Sequence, residues 1–224
     1  MDDAAYATMR ENDDNKPNSE PTIAPRGIPD APASPWRTRD ARSVYRNPWI
    51  AVTEYQVVRP DGSEGIYGVV DPGDNVSIVA LDHDDRIALV GQFMYPLQAY
   101  DWAVPSGKVE DGEAPLAAAR RELGEEAGLE AGSWTVLGEY YLSPGISTQI
   151  SHVYLAQDLH TTNLKPESTE RLDLRMEPLQ QAVRECLTGG IRNAPSVLGI
   201  LRIWLTRQER AAHSLAHPAG TGDQ

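Results

Sequence analysis

The sequence predicts an α/β fold, a mixed sheet packed between helices with a β-hairpin at its N-terminal edge, on three observations. Short runs rich in β-branched and aromatic residues, bounded by turn residues, fill the chain over 48–104 and return at 134–142 and 151–156. One helix-patterned stretch, 115–127, interrupts them. The C-terminal part then changes period, with helices expected over 177–187 and from Asn193 onward. A sheet interrupted and followed by helices buries both of its faces, so the layering expected is α/β/α.

Taken in order, residues 1–42 are rich in Pro, Asp, Asn, Ala and Arg, with apolar residues too sparse for a periodic face, and are expected to form a disordered leader. The folded domain is expected over 43–207. Its first element is a hairpin: 48–58 alternates, Pro60-Asp61-Gly62 turns, and 65–70 returns. A second hairpin follows, with NVSIVAL at 75–81 and RIALVG at 86–91 around the polar His83-Asp84-Asp85. In the central helix, Pro115 suits the first helical position and Gly128 the residue past the last turn. Ala114 is a poor cap, offset in part by the charge of Glu113 near the positive end of the helix dipole. Leu116, Ala119, Leu123 and Ala127 form its apolar stripe. The next helix ends at Gly189-Gly190; Asn193 caps the last, whose apolar positions include Val197, Leu198, Leu201 and Leu205. Residues 208–224 read as a frayed helix end followed by disorder, so His213 and His217, four apart, are not expected to bind metal.

Composition narrows the function. With 224 residues, 40% hydrophobic and 24% charged, the chain has the profile of one soluble globular domain with flanking tails. A formal net charge of −13 opposes non-specific binding to nucleic acid or anionic membrane. The absence of an apolar run of transmembrane length and of a signal-peptide core leaves a cytoplasmic location as the expectation. Lone Cys186 permits no internal disulfide and is expected to be an inert helix thiol.

The chemistry concentrates in Gly107 to Leu129, GKVEDGEAPLAAARRELGEEAGL. Residues three and four apart share a helix face, so Glu122, Glu125 and Glu126 project side by side. Such pairs destabilise a bare helix by a few tenths of a kcal/mol, about 0.2–0.5 each. A divalent cation reverses the repulsion. Hard carboxylate oxygens with room for water and phosphate suit Mg²⁺ or Mn²⁺. The ordinary reading of such a face is solvated surface charge. Spacing overturns it: Gly107, five residues, Glu113, seven residues, Arg121-Glu122-Leu123, one residue, Glu125-Glu126, one residue, Gly128-Leu129. This resembles the Nudix box at every defined position. Its fixed residues would coincide by chance roughly once in 10⁸ to 10⁹ windows.

Landmarks outside the box, NPWI at 47–50, RPDG at 59–62, GQFMYP at 91–96, VPSG at 104–107 and SPG at 143–145, look like those of ADP-ribose pyrophosphatase-type Nudix hydrolases. The resemblance implies a Nudix α/β/α sandwich that hydrolyses a nucleoside diphosphate linked to a sugar, releasing a nucleoside monophosphate and a sugar phosphate. Glu122, Glu125 and Glu126 are placed to hold Mg²⁺, with Mn²⁺ as the alternative. By resemblance the Ser106 backbone carbonyl adds a ligand, Gly107 and Gly128 shape the loop and helix end, and Arg121 with Glu113 fixes the carboxylates or forms a structural salt bridge. For the water-activating base, relatives often bear a glutamate where this chain has Gln149, an amide that accepts no proton at neutral pH. The segment LKPESTERL offers Glu170, favoured over Glu167.

Substrate choice is less legible. Met94 and Ala103 stand where many ADP-ribose hydrolases carry an arginine and a glutamate. Trp49, Tyr95, Tyr100 and Trp102 stack on a base or pack in the core, with packing the default for any one of them. The subfamily resemblance also implies a homodimer in which the hairpin crosses to a partner. The alternative function is a catalytically idle Nudix-like domain that senses a nucleotide sugar. The complete acidic triad favours the enzyme.

Overall fold

The structure, a computed structural model, describes residues 32–162 and 172–216; most of the 1–42 leader, the 163–171 segment and the end of the tail lie outside the described residues. The chain divides into two compact units between Val70 and Asp71.

The first unit is a three-stranded sheet in the order β1-β2-β3: β1 (Arg37–Arg46), β2 (Ala51–Val58) and β3 (Glu64–Asp71). The expected hairpin is β2 and β3, and its turn forms as the chemistry requires. Gly62 adopts φ 86°, its N–H donates to the Arg59 carbonyl at 2.9 Å, and Asp61 Oδ1 accepts the Ser63 N–H at 2.9 Å. Strand β1 corrects the expected boundary at 43, since it starts at Arg37 and pairs antiparallel with β2 from Arg37↔Val58 to Arg46↔Ala51. Nine of its ten side chains are exposed, so hydrophobic patterning carries no trace of it; the backbone ladder holds it. Tyr55, Val57 and Val69 form a small core here, with Ala41 and Tyr67 packed against it.

The second unit is the sandwich. Its main sheet is mixed, in the order β7-β4-β9-β8: β4 (Asn75–Ala80) runs antiparallel to β7 (Ser106–Lys108) and parallel to β9 (Ile150–Thr161), which pairs antiparallel with β8 (Leu129–Tyr141). A second, antiparallel sheet joins β10 (Asp173–Pro178), β5 (Arg86–Met94) and β6 (Ala99–Ala103). The mixed sheet expected is present, and this antiparallel sheet is additional to it. Strand β10 alternates, with Leu174 and Met176 set between Asp173, Arg175 and Glu177, but two apolar positions are too few to mark a strand, and the sequence places a helix start at 177 instead.

The period-2 alternation of β4 divides the core into two layers. Val76, Ile78 and Ala80 face α1 (Pro115–Ala127), packing with Ala118, Ala119 and Leu123. Val79 and Leu81 face the other way, where Leu89, Val104 and Val153 meet α2 (Leu179–Thr188) and α3 (Ala194–Ala216) through Leu179, Val183, Ile200 and Ile203. That is the α/β/α layering expected. Helix α3 continues through 208–216, where the sequence predicts a tail, because Gln, Glu, Arg and Ala are good helix formers. Cys186 is half-buried on α2, and burial pushes its thiol up to about 11, which suits an inert side chain. Among the described residues no helix is long and apolar enough to cross a membrane.

Candidate active site

Helix α1 seats its acidic face against the edge strand β7. Two tethers fix the approach to that strand. Val104 donates its N–H to Ser196 Oγ at 3.0 Å, and Ile78 donates to the Pro105 carbonyl at 2.8 Å. Ser196 is itself fully buried and donates to Asn193 Oδ1 at 2.8 Å, within the Asn193 cap of α3. Strand β7 then pairs Ser106↔Ser77, Gly107↔Val76 and Lys108↔Asn75. The sequence expects Asn193 as a cap but not that Ser196 reaches from that cap to the strand beside the site.

The helix starts and stops where expected. Pro115 opens it, Ala114 is extended with no side-chain cap, and Gly128 at φ 63° returns its N–H to the Gly124 carbonyl at 3.0 Å. Three apolar residues, Ala118, Ala119 and Leu123, are 0% exposed and set the rotation of the helix on the sheet. That rotation points Glu122 and Glu126 at β7. Glu126 is buried, and its Oε2 accepts the Ser106 N–H at 2.6 Å, a charge-assisted bond that offsets the cost of burying a carboxylate. Ser106 is expected as a carbonyl donor to metal; the contact seen here is through its N–H. The Glu122 carboxyl lies where a Cβ on Gly107 would stand, so only glycine admits it.

Arg121 is the hub. Its Nε and Nη2 grip Glu113 at 3.1 and 3.0 Å, Nη2 also reaches the Lys108 carbonyl at 2.9 Å, and Nη1 bonds Glu122 at 2.7 Å and Glu125 at 3.1 Å. The fork geometry of a guanidinium makes such a division possible. The hydrogen bond from Arg121 holds the Glu113 carboxyl below the usual carboxylate range, helped by the Glu110 N–H. Arg121 in turn is pushed further up, chiefly by Glu113. Glu113, expected both near the positive end of the helix dipole and as a partner of Arg121, is held by Arg121. The Lys108 carbonyl is a partner the sequence does not signal, because backbone acceptors leave no mark in residue identity. Among the described residues no three acidic, imidazole or thiol groups enclose a common point.

The remaining candidates are dispersed. Glu167 and Glu170 lie outside the described residues. Gln149 is half-buried, its N–H on Ser147 Oγ at 3.2 Å. Tyr95, in the 3-10 turn Tyr95–Leu97, is 81% exposed, Met94 beside it is half-buried, and Trp49 in the first unit is 60% exposed. Tyr100 is also exposed and donates to Asp173 Oδ2 at 2.6 Å. Core packing, the default for these rings, holds only for Trp102, which packs against the core under the Arg175 guanidinium at 4.3 Å.

The comparisons with known proteins divide the chain where its structure does. Residues 71–197 match the family model "NUDIX domain", and residues 36–70 match "Nucleoside diphosphate sugar hydrolase N-terminal domain". An ADP-ribose pyrophosphatase of Mycobacterium tuberculosis is 32% identical over 171 residues, covering 75% of this chain and 83% of the relative. One from Bacillus subtilis is 36% identical over 111 residues, covering 50% of this chain and 60% of the relative. A crystal structure of an ADP compounds hydrolase shares the fold at a TM-score of 0.70 and 24% identity, over 80% of this chain and 99% of that one. The chain belongs to the Nudix family and is a pyrophosphohydrolase resembling the ADP-ribose pyrophosphatases. Nudix hydrolases generally work with divalent metal ions.

Proposed function

We propose that the chain hydrolyses the pyrophosphate bond of a nucleoside diphosphate-linked compound, ADP-ribose or another nucleotide sugar, to a nucleoside monophosphate and a sugar phosphate, using Mg²⁺ or Mn²⁺. The observation that carries this reading is the seating of the box: Glu126 on the Ser106 N–H and Glu122 over Gly107 gather hard oxygen donors at the edge of β7. Three carboxylates and the Ser106 carbonyl are a donor set of the kind Mg²⁺ and Mn²⁺ prefer. Glu122, Glu125, Glu126 and Ser106 would hold the ion, which supplies charge neutralisation at the phosphates and a more acidic water. Arg121, anchored on Glu113 and Lys108, steadies the loop and helix that carry these groups. Glu170 or Glu167 serves as the base, since Gln149 accepts no proton.

The substrate class rests on similarity to proteins named ADP-ribose pyrophosphatase and on the match of residues 36–70 to a nucleoside diphosphate sugar hydrolase domain. Exposed Trp49 and Tyr95, with Met94, are the proposed substrate contacts, aromatic faces suited to a nucleobase. A cytoplasmic homodimer completes the reading, and sedimentation equilibrium tests the dimer. Function is tested by a phosphate-coupled assay over ADP-ribose, other ADP-sugars, GDP-mannose, NADH and diadenosine polyphosphates, each with Mg²⁺ or Mn²⁺. Turnover of a nucleotide sugar, lost by orders of magnitude in Glu126→Gln with the melting curve retained, supports it. Ligand binding without turnover across the panel favours the sensor instead.

A further inference from the structure

We infer that Arg121 is a resident counter-ion which gives up Glu122 and Glu125 when a divalent cation binds, and that Glu113 is the positioning residue that parks it. The inference rests on the metal ligands proposed above and adds a competition for them. The guanidinium has two sides with different partners. Its Nε and Nη2 side holds Glu113 at 3.1 and 3.0 Å and the Lys108 carbonyl at 2.9 Å, groups outside the proposed ligand set. Its Nη1 corner holds Glu122 at 2.7 Å and Glu125 at 3.1 Å, two groups inside that set. An oxygen lone pair donated to Nη1 is withheld from a cation, and two positive charges within a few ångströms repel in a half-buried site.

Arg121 is suited to the exchange because its two sides release independently. Letting go of Glu122 and Glu125 leaves three hydrogen bonds on the far side, so the side chain keeps its place. Removing Glu113 takes away two of those three bonds, leaving only the Lys108 carbonyl on that side, and the charge leans more on Glu122 and Glu125. The competing idea, that Arg121 orients the carboxylates for the cation, has the opposite sign: removal of Arg121 would then weaken metal binding.

The test is Mn²⁺ binding to the full chain, stripped of metal by chelator and measured by electron paramagnetic resonance and calorimetry, with melting curves in chelator and in Mn²⁺. Arg121→Gln should bind Mn²⁺ about tenfold more tightly than wild type, a coupling of ordinary size between linked sites. It should also melt lower without metal and gain more on adding it. Glu113→Gln should bind several-fold more weakly, and Glu113→Gln with Arg121→Gln should return to the affinity of Arg121→Gln alone. Arg121→Lys keeps the charge but not the fork, and should bind more tightly than wild type by a smaller factor; it serves if the Gln variant fails to fold. Weaker or unchanged binding in the Arg121 variants overturns the inference, as does a Glu113 effect that persists in the double variant. Unchanged binding in Glu122→Gln and Glu125→Gln would instead remove the metal ligands themselves.

Discussion

Gly107→Ala tests whether the close seating of Glu122 on β7 matters to catalysis, because its effects on fold and on site have different sizes. The three atoms nearest an added Cβ all belong to the Glu122 carboxyl group, well inside contact distance. They are the far end of a flexible side chain, so the strand stays and the carboxylate moves. It must retreat by more than about 1 Å to reach ordinary carbon contact. Gly107 does not use the left-handed backbone region, so alanine fits the strand and removes unfolded-state freedom worth about 0.4–1 kcal/mol. Loosening the half-buried Arg121–Glu122 pair works against that gain by roughly 0–1 kcal/mol. The melting temperature should therefore stay within about 4 °C of wild type. Activity should not: a displacement of about 1 Å among groups that position a reaction costs on the order of 10²-fold. The assay is kcat/KM on the best nucleotide sugar as Mg²⁺ is varied, beside a melting curve. A wild-type rate and metal dependence would refute the reasoning, and so would a loss of several kcal/mol in stability, which would place the clash in the strand.

Leu123→Ala empties a 0% exposed position between α1 and β4 and should cost about 2–5 kcal/mol in urea unfolding. Gly199→Ala on α3 drives a Cβ to 2.7 Å from Val79 Cγ2 and 3.1 Å from Val153 Cγ1; overpacking of about 1–3 kcal/mol outweighs a helix-propensity gain of about 1 kcal/mol, so the same measurement should show net loss. Burial pushes the Asp82 carboxyl up, but the backbone N–H and guanidinium of Arg86 bring it below its ordinary 3.8. A depressed folded value means that its stabilisation is present at neutral pH and lost as pH falls through that folded value. Asp82→Asn should accordingly flatten the acid end of the stability–pH curve while lowering stability at pH 7.

What was legible in the sequence is what a single local segment encodes. Helix α1 runs from Pro115 to Ala127 as its punctuation says, because Pro at the first position and Gly128 past the end act through their own backbones. The acidic face was legible for a related reason: a helix turns residue spacing directly into geometry. Contacts made across the fold left no such trace. Glu126 meets the Ser106 N–H, and Arg121 meets the Lys108 carbonyl, only because β4 brings β7 under the helix. Strand β1 escaped notice because a backbone ladder asks little of side chains, and β10 because its alternating apolar face is only Leu174 and Met176. Trp49 and Tyr95 show the same limit from the other side. An aromatic ring is equally at home in a core or on a binding face, and only the fold shows both to be exposed. Bond chemistry in this chain is therefore written at helical spacing in one segment. Neither Trp49 nor Tyr95 belongs to that segment, so if they contact substrate as proposed, a change at either alters which nucleotide is cut while leaving the Glu122, Glu125 and Glu126 face untouched.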